Sequence, residues 1–317
     1  MSYDFRLKIV FMGTPDFATP VLAALVDAGH DVVGVYTQPD RRAGRGRRVA
    51  TPPVKEYALE ARLRVFQPAS LRRDEGALDA LNLLAPDVVV VAAYGLFLPT
   101  AMLDLPRLGC LNIHPSLLPR HRGPSPVATA IFDGDARTGV TVIRLDDEMD
   151  HGPIVAQRET TIGQDETAGA LTARLFRMGA ELLLQTLPGW DRGDVVPVAQ
   201  DESLATVTRQ LTKQDGEIDW PRPAEYIARQ VRAYSPWPGT FTLWRGRRLA
   251  IVAADTARES VASGPAGLVT ALPEGVRVAT GEGVLELRTV QLEGRKPVAA
   301  TEFLRGHSDF TGSVLGG

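Results

Sequence analysis

The hydrophobic positions of the 317-residue chain fall into two regimes. As far as residue 190, short apolar runs alternate with stretches of helical spacing. Lys8–Met12, Asp31–Thr37, Arg64–Phe66, Asp87–Ala93, Cys110–His114 and Val140–Arg144 read as strands. Pro20–Ala28, Val54–Arg62, Glu75–Leu84, Pro126–Asp133 and Glu166–Thr186 place apolar residues three and four apart and predict helices. The run DVVVVAA at Asp87–Ala93 has no polar alternation, the mark of a strand covered on both faces of a parallel sheet. Strands and helices alternating at this spacing predict a doubly wound α/β domain.

The pattern changes after residue 190. Little periodicity is left in Asp191–Leu204, so the segment 191–207 reads as a linker between a domain at 1–190 and another at 208–317. A helix is predicted at Pro223–Tyr234. Glycine-broken β runs follow at Thr240–Trp244, Leu249–Ala254, Gly267–Ala271, Gly275–Ala279 and Val284–Leu292. They predict a small antiparallel barrel, for which an OB-fold is one candidate.

Charge changes this picture little. The 35 Lys and Arg against 38 Asp and Glu give a net −3, so any polyanion must be met by a local basic patch. Cys110 is the sole cysteine, which excludes a disulfide framework and a cysteine-based metal site and suits a reducing compartment. The opening apolar run, cut by Gly13 and Pro15, is too short for a signal peptide. No Arg/Ser-rich extension precedes it, and no stretch nears the ~20 apolar residues of a membrane span. A cytoplasmic monomer with no membrane partner is expected.

Candidate chemistry is concentrated in two places. In Gly109–Gly123 (GCLNIHPSLLPRHRG), Asn112 and His114 stand two apart on a strand and face the same side. They sit at its carboxyl end, where open α/β sheets bind ligands. An amide and an imidazole there can stabilise an oxyanion and move a proton; two polar residues capping a turn would read the same way. The second place is Leu145–Ile154 (LDDEMDHGPI), after another apolar strand. Asp150 lies in a turn from which its carboxylate can approach His114 across adjacent strand ends, while a solvated acidic loop is the plainer reading of Asp146, Asp147 and Glu148. No His or carboxylate pair has metal-ligand spacing, so no metal is expected.

NIHPSLLPRHRG followed by DDEMDHGPI resembles the signature of the folate-dependent formyltransferases. The resemblance implies a catalytic trio of Asn112, His114 and Asp150, with Ser116, Leu117, Leu118 and Pro119 lying against the folate. It extends along almost the whole chain toward the methionyl-tRNA branch of that family, through KIVFMGTPDFA, TQPDRRAGRGRR, VAAYGLFLP, LTKQDGEIDW, VRAYSPWPGT and GRKPVAATEFLRG. It implies a Rossmann-like formyltransferase domain joined to an OB-like barrel, with 10-formyltetrahydrofolate as formyl donor and tetrahydrofolate as product. The acceptor would be the α-amino group of initiator methionyl-tRNA. Phe97, Leu98, Leu117 and Met149 are expected as further walls of an apolar folate pocket. Four departures bear on fine pocket shape: Pro115 for a frequent glycine, Pro124-Ser125-Pro126 for an Ala-Ala-Pro-like run, His151 for a usual threonine and Arg41 for a usual proline.

The segment Arg41–Arg48 holds five arginines and two glycines without an apolar anchor, a composition suited to a polyanion and equally to a solvated loop. By resemblance it is the insertion that meets the acceptor stem, with Arg42 leading and Arg41, Arg45, Arg47 and Arg48 beside it. Lys213 is expected among the tRNA contacts of the second domain. Neither GxGxxG nor GxxxxGK[ST] occurs, so nicotinamide and ATP roles have no support. The competing readings are an N-formyltransferase for an amino-sugar nucleotide or other small amine, a hydrolase that deformylates the folate, and a non-catalytic tRNA-binding protein.

Overall fold

A computed structural model describes residues 5–43, 48–257, 264–273 and 275–316. The chain forms two compact units. The first takes in Met1–Gly123, Arg137–Thr161 and Thr172–Thr208, and the second Pro124–Ala136, Ile162–Leu171 and Arg209–Gly317.

The first unit is built on the strands β1 (Lys8–Gly13), β2 (Asp31–Tyr36), β3 (Arg41–Ala43), β4 (Arg48–Ala50), β5 (Val65–Phe66), β6 (Val88–Ala92), β7 (Cys110–His114), β8 (Arg137–Arg144) and β9 (Ile154–Thr161). Seven of them make one sheet in the order β5-β2-β1-β6-β7-β8-β9. The pairs from β5 to β7 are parallel, and β8 and β9 continue the sheet antiparallel. Every residue of β6 is buried, as its unbroken apolar run requires. Helices α1 (Thr19–Asp27), α2 (Pro53–Glu60), α3 (Glu75–Leu84), α4 (Thr100–Leu103) and most of α6 (Ala168–Arg192) accompany this sheet. Strand order reverses at β1, so the crevice where such sheets place ligands lies at the carboxyl ends of β1 and β6. There Thr14 Oγ1 and Gln38 Nε2 both donate to the Tyr94 carbonyl, at 3.0 and 3.1 Å, and close the two strand ends on each other.

The sequence reading ends the long helix at Thr186, before Pro188, but α6 runs on to Arg192. Proline there removes one backbone bond. Burial of Leu187 and Trp190, whose Nε1 donates to the Leu108 carbonyl at 3.0 Å, outweighs that loss. The edge strand β9 was not foreseen: IVAQRETT buries only Val155 and is specified by pairing with β8 more than by its own pattern. Leu183 of α6 is fully buried in the main core. Leu183→Ala is expected to cost about 2–5 kcal/mol, measured as a fall in thermal midpoint against wild type.

Segment 191–207, which lacks periodicity, falls in the first unit. Isolated bridges hold it there, Ile154 with Val198 and Arg122 with Val207, in place of a regular strand.

The second unit contains α5 (Pro126–Asp133), α7 (Ala224–Ala233), α8 (Ala300–Gly306) and the strands β10 (Thr240–Trp244), β11 (Arg247–Thr256), β12 (Val269–Leu272), β13 (Gly275–Ala279), β14 (Val284–Leu292) and β15 (Val298–Ala299). The sheet is antiparallel, in the order β10-β11-β14-β13-β12 with β15 on β14. It is OB-like; among the described residues the path ends at β10 and β12. Its core gathers Ile227, Val231, Trp244, Ile251, Val278, Leu287, Phe303 and Phe310. Arg245 and Gly246, with φ of 53° and 68°, make the two-residue turn between β10 and β11 that matches strand twist.

Candidate active site

Strand β7 sends Leu111 and Ile113 into the core under α6 and turns Asn112 and His114 to the other side. His114 is buried and Asn112 half-buried. Nε2 of His114 lies 2.9 Å from the His121 carbonyl oxygen. A carbonyl only accepts, so this nitrogen carries a hydrogen. Nδ1 faces Oδ1 of Asp150 at 3.4 Å, and Nδ2 of Asn112 lies 3.4 Å from the same oxygen. The other carboxylate oxygen, Oδ2, accepts from the Gly123 N–H at 2.9 Å. Asn112, His114 and Asp150, far apart in sequence, thus form one cluster.

The route of Asp150 to that cluster differs from the sequence expectation. Because β8 is antiparallel to β7, its end at Arg144 lies level with Leu111, at the start of β7. Residues 145–153 therefore fold back along the sheet face, and Asp150 arrives over β7 instead of across adjacent strand ends. The fold-back is tight. Asp150 has φ 51°, in the left-handed region, and a Cβ on Gly152 would stand 1.8 Å from the Arg144 carbonyl oxygen.

Burial pushes the Asp150 carboxyl up. The hydrogen bond and charge of His114, the Gly123 N–H and the Arg122 guanidinium outweigh it and hold the group below the ordinary carboxylate range. At neutral pH Asp150 is a carboxylate. Facing it and the His121 carbonyl, His114 can donate from both nitrogens only as the charged imidazolium. The 3.4 Å separations exceed the about 2.7–2.9 Å of a well-made charge-assisted bond, so the Asn112 and His114 hydrogens stay available to an incoming oxygen.

The segment after His114 is anchored through Thr141 on β8. Thr141 Oγ1 donates to the Ser116 carbonyl at 2.7 Å and accepts from the Leu118 N–H at 3.2 Å. Ser116 and Leu118 are buried, Ser116 Oγ donating to the Arg120 carbonyl, and Pro119 follows Leu118 through a cis peptide. Leu117 packs over Gly139, where a Cβ would meet its Cδ2 at 2.4 Å. Leu98 is half-buried against the core on its side of the sheet, whereas Phe97 and Met149 are exposed. Arg41–Ala43 and Arg48–Ala50 pair as antiparallel strands, with Arg41 opposite Ala50, Arg42 opposite Val49 and Ala43 opposite Arg48. Arg41 is exposed, while Arg45 and Arg47 lie outside the described residues. Lys213, in the second unit, is exposed.

Sequence reasoning missed a ring of residues around Asp150. Besides Gly123 it includes Arg122, buried and donating bidentately to Glu202 at 3.0 and 2.6 Å and to Oε1 of Gln200 at 3.0 and 2.8 Å. His151 places Nδ1 2.6 Å from Asp146 and Nε2 3.5 Å from Glu202; the bond to Asp146 raises it above the ordinary histidine value. The arginine-glycine step closing HPSLLPRHRG was the one local signal for this ring. Among the described residues no group of three or more His, Cys, Asp or Glu is placed to hold a metal ion, and no helix is long and apolar enough to cross a membrane.

A partly buried Asn–His–Asp cluster on a Rossmann-like sheet, with an OB-like unit after it, is the arrangement expected of the folate-dependent group-transfer enzymes that the sequence motif resembles. The chain belongs to the formyl transferase family, matching it over residues 7–187 and its C-terminal domain over 210–308. Among its relatives are the methionyl-tRNA formyltransferase of Chloroflexus aurantiacus, 50% identical over 305 residues (96% of this chain, 98% of that protein), and that of Roseiflexus sp., 50% identical over 311 residues (98% and 95%). Among solved structures, HypX from Aquifex aeolicus has the same fold, with a TM-score of 0.68 at 18% identity over 96% of this chain. The chain spans about half of HypX, 48% of its length.

Proposed function

We infer that this protein transfers the formyl group of 10-formyltetrahydrofolate to the α-amino group of initiator methionyl-tRNA, in the cytoplasm, and releases tetrahydrofolate. The observation that carries the mechanism is the convergence of Asn112, His114 and Asp150 on one half-buried spot. The amine attacks the formyl carbon, the new N–C bond forms, and the bond from that carbon to N10 of the folate breaks. Negative charge grows on the formyl oxygen, and the N–H groups of Asn112 and His114 stabilise it; one such donor contributes about 2.7–4 kcal/mol to the transition state. Asp150 orients His114 through Nδ1 and, through water, takes the proton the amine gives up and passes it to N10, which leaves as the N–H of tetrahydrofolate. Its low affinity for protons makes it a relay and not a store. Ser116–Pro119, with Leu98, Phe97 and Met149, supply the folate's apolar surroundings. On this reading residues 1–190 carry the catalysis and 208–317 the tRNA-binding surface to which Lys213 belongs.

The arginine segment serves the tRNA. Changing Arg42, Arg45 and Arg47 together to alanine is expected to raise the KM for methionyl-tRNA and leave folate binding unaltered. Removing an arginine that neutralises a phosphate flattens the log–log salt dependence by up to about 0.9. Initial rates against tRNA concentration at two salt concentrations test this. Identical KM and salt slope in wild type and variant would move tRNA binding to the basic surface of the second unit.

A further inference from the structure

We propose that Gln200 is a positioning residue for the reaction, the clamp that holds Asp150 at Asn112 and His114. The proposal rests on the catalytic reading of Asp150 above. Asp150 is a non-glycine residue in left-handed backbone, a conformation kept only where its surroundings impose it. Gln200 supplies the imposition. Its Nε2 donates to the carbonyl oxygens of Asp150 and Gly152, both at 2.8 Å, and so grips the turn on either side of His151. Its Oε1 accepts both Nε and Nη2 of Arg122, at 3.0 and 2.8 Å.

Carbonyls only accept and a guanidinium only donates, so these partners allow a single orientation of the amide. With two hydrogens donated and two accepted, the amide group has no bonding capacity left over. Arg122 adjoins Gly123, whose N–H holds Oδ2 of Asp150. One side chain therefore ties together both grips on the carboxylate, the turn that carries it and the peptide that orients it. Gln200 makes none of its hydrogen bonds to Asn112 or His114 and acts through Asp150. It comes from the segment without periodicity, which the chemistry thereby draws into the site.

Gln200→Glu separates the clamp from general packing. It keeps an acceptor for Arg122 but sets carboxylate oxygen against two carbonyl oxygens, while Gln200→Ala removes all four bonds. In the full-length protein both variants are expected to lower kcat by about 10–100-fold, the scale of misplacing a reacting group by an ångström or less. The KM values for formyl-folate and methionyl-tRNA should stay within about twofold, as for a group that matters only in the transition state. Combined with Asp150→Asn, Gln200→Glu should add no further loss, because the carboxylate it positions is already gone.

Wild-type kcat in Gln200→Ala and Gln200→Glu, beside a slow Asp150→Asn, overturns the clamp and leaves the reading of Asp150 standing. An undiminished extra loss in the double variant overturns it too, since Gln200 would then act elsewhere. A rise of both KM values together with a collapsed thermal midpoint would make Gln200 merely structural, which also refutes the proposal. If Gln200→Ala does not fold, Gln200→Glu carries the test alone. Near-wild-type turnover in Asp150→Asn itself would sink the catalytic reading and the clamp with it.

Discussion

Replacing Asn112 or His114 with alanine is expected to lower kcat by about 10²–10³-fold while the KM for methionyl-tRNA stays close to wild type. In the proposed mechanism both side chains act, from one strand, where charge develops, and neither belongs to the basic surfaces proposed for the tRNA. The loss should therefore appear in the transition state and not in substrate binding. The two variants differ in stability. His114 is buried between the His121 carbonyl and Asp150, so its removal takes a donor from each and opens a cavity, and should lower the thermal midpoint as well. Among the described residues the Asn112 side chain makes one long hydrogen bond, and Asn112→Ala should unfold close to wild type. Steady-state rates against each substrate, beside thermal unfolding, check both. High turnover in either variant would remove that residue from the mechanism.

Asp150→Asn is expected to cost about 10²–10⁴-fold in kcat, the range for a group that manages protons. It keeps the size of the side chain and removes the carboxylate, so the acid limb of the kcat profile, where that carboxylate takes up a proton, should be lost. Stability gives an independent readout. The folded carboxyl sits below its ordinary value of about 3.9, through His114, Gly123 and Arg122 and despite burial. Such a group adds stability that is complete above the unfolded value and is lost as pH falls through the folded one. Wild type should therefore lose stability relative to Asp150→Asn on acidification below about pH 4. An unchanged pH profile with high activity would reduce Asp150 to a turn residue.

The parts of this molecule that could be read in the sequence are those whose cause is local. β6 announces itself because four consecutive valines suit only a strand buried on both faces. α3, α5, β7, β10, β13 and β14 fall at the boundaries their periodicity sets. Asn112 and His114 were legible because a strand fixes the facing of residues two apart, and Asp150 because the family motif spans both stretches. What stayed hidden depends on partners distant in the chain. β9 is polar along most of its length and exists by pairing with β8. α6 outlasts Pro188 because Trp190 is packed and hydrogen-bonded. Arg41–Ala43 and Arg48–Ala50 pair as strands although their composition reads as loop. Gln200, Glu202 and Arg122 are ordinary surface-type residues in sequence. Only the folding of segment 191–207 beside the turn at Asp150 gives them a role.

The function proposed for this chain joins formyl-folate chemistry to methionyl-tRNA. Its most direct test gives purified protein 10-formyltetrahydrofolate carrying an isotopic label in the formyl group. Charged initiator methionyl-tRNA and an amino-sugar nucleotide are offered in parallel as acceptors, and the label is followed in a single turnover. Label is expected in an amide on the methionine of the tRNA, with tetrahydrofolate formed in equal amount, and none on the sugar. Label on the sugar alone, or released as formate with the tRNA untouched, would contradict it.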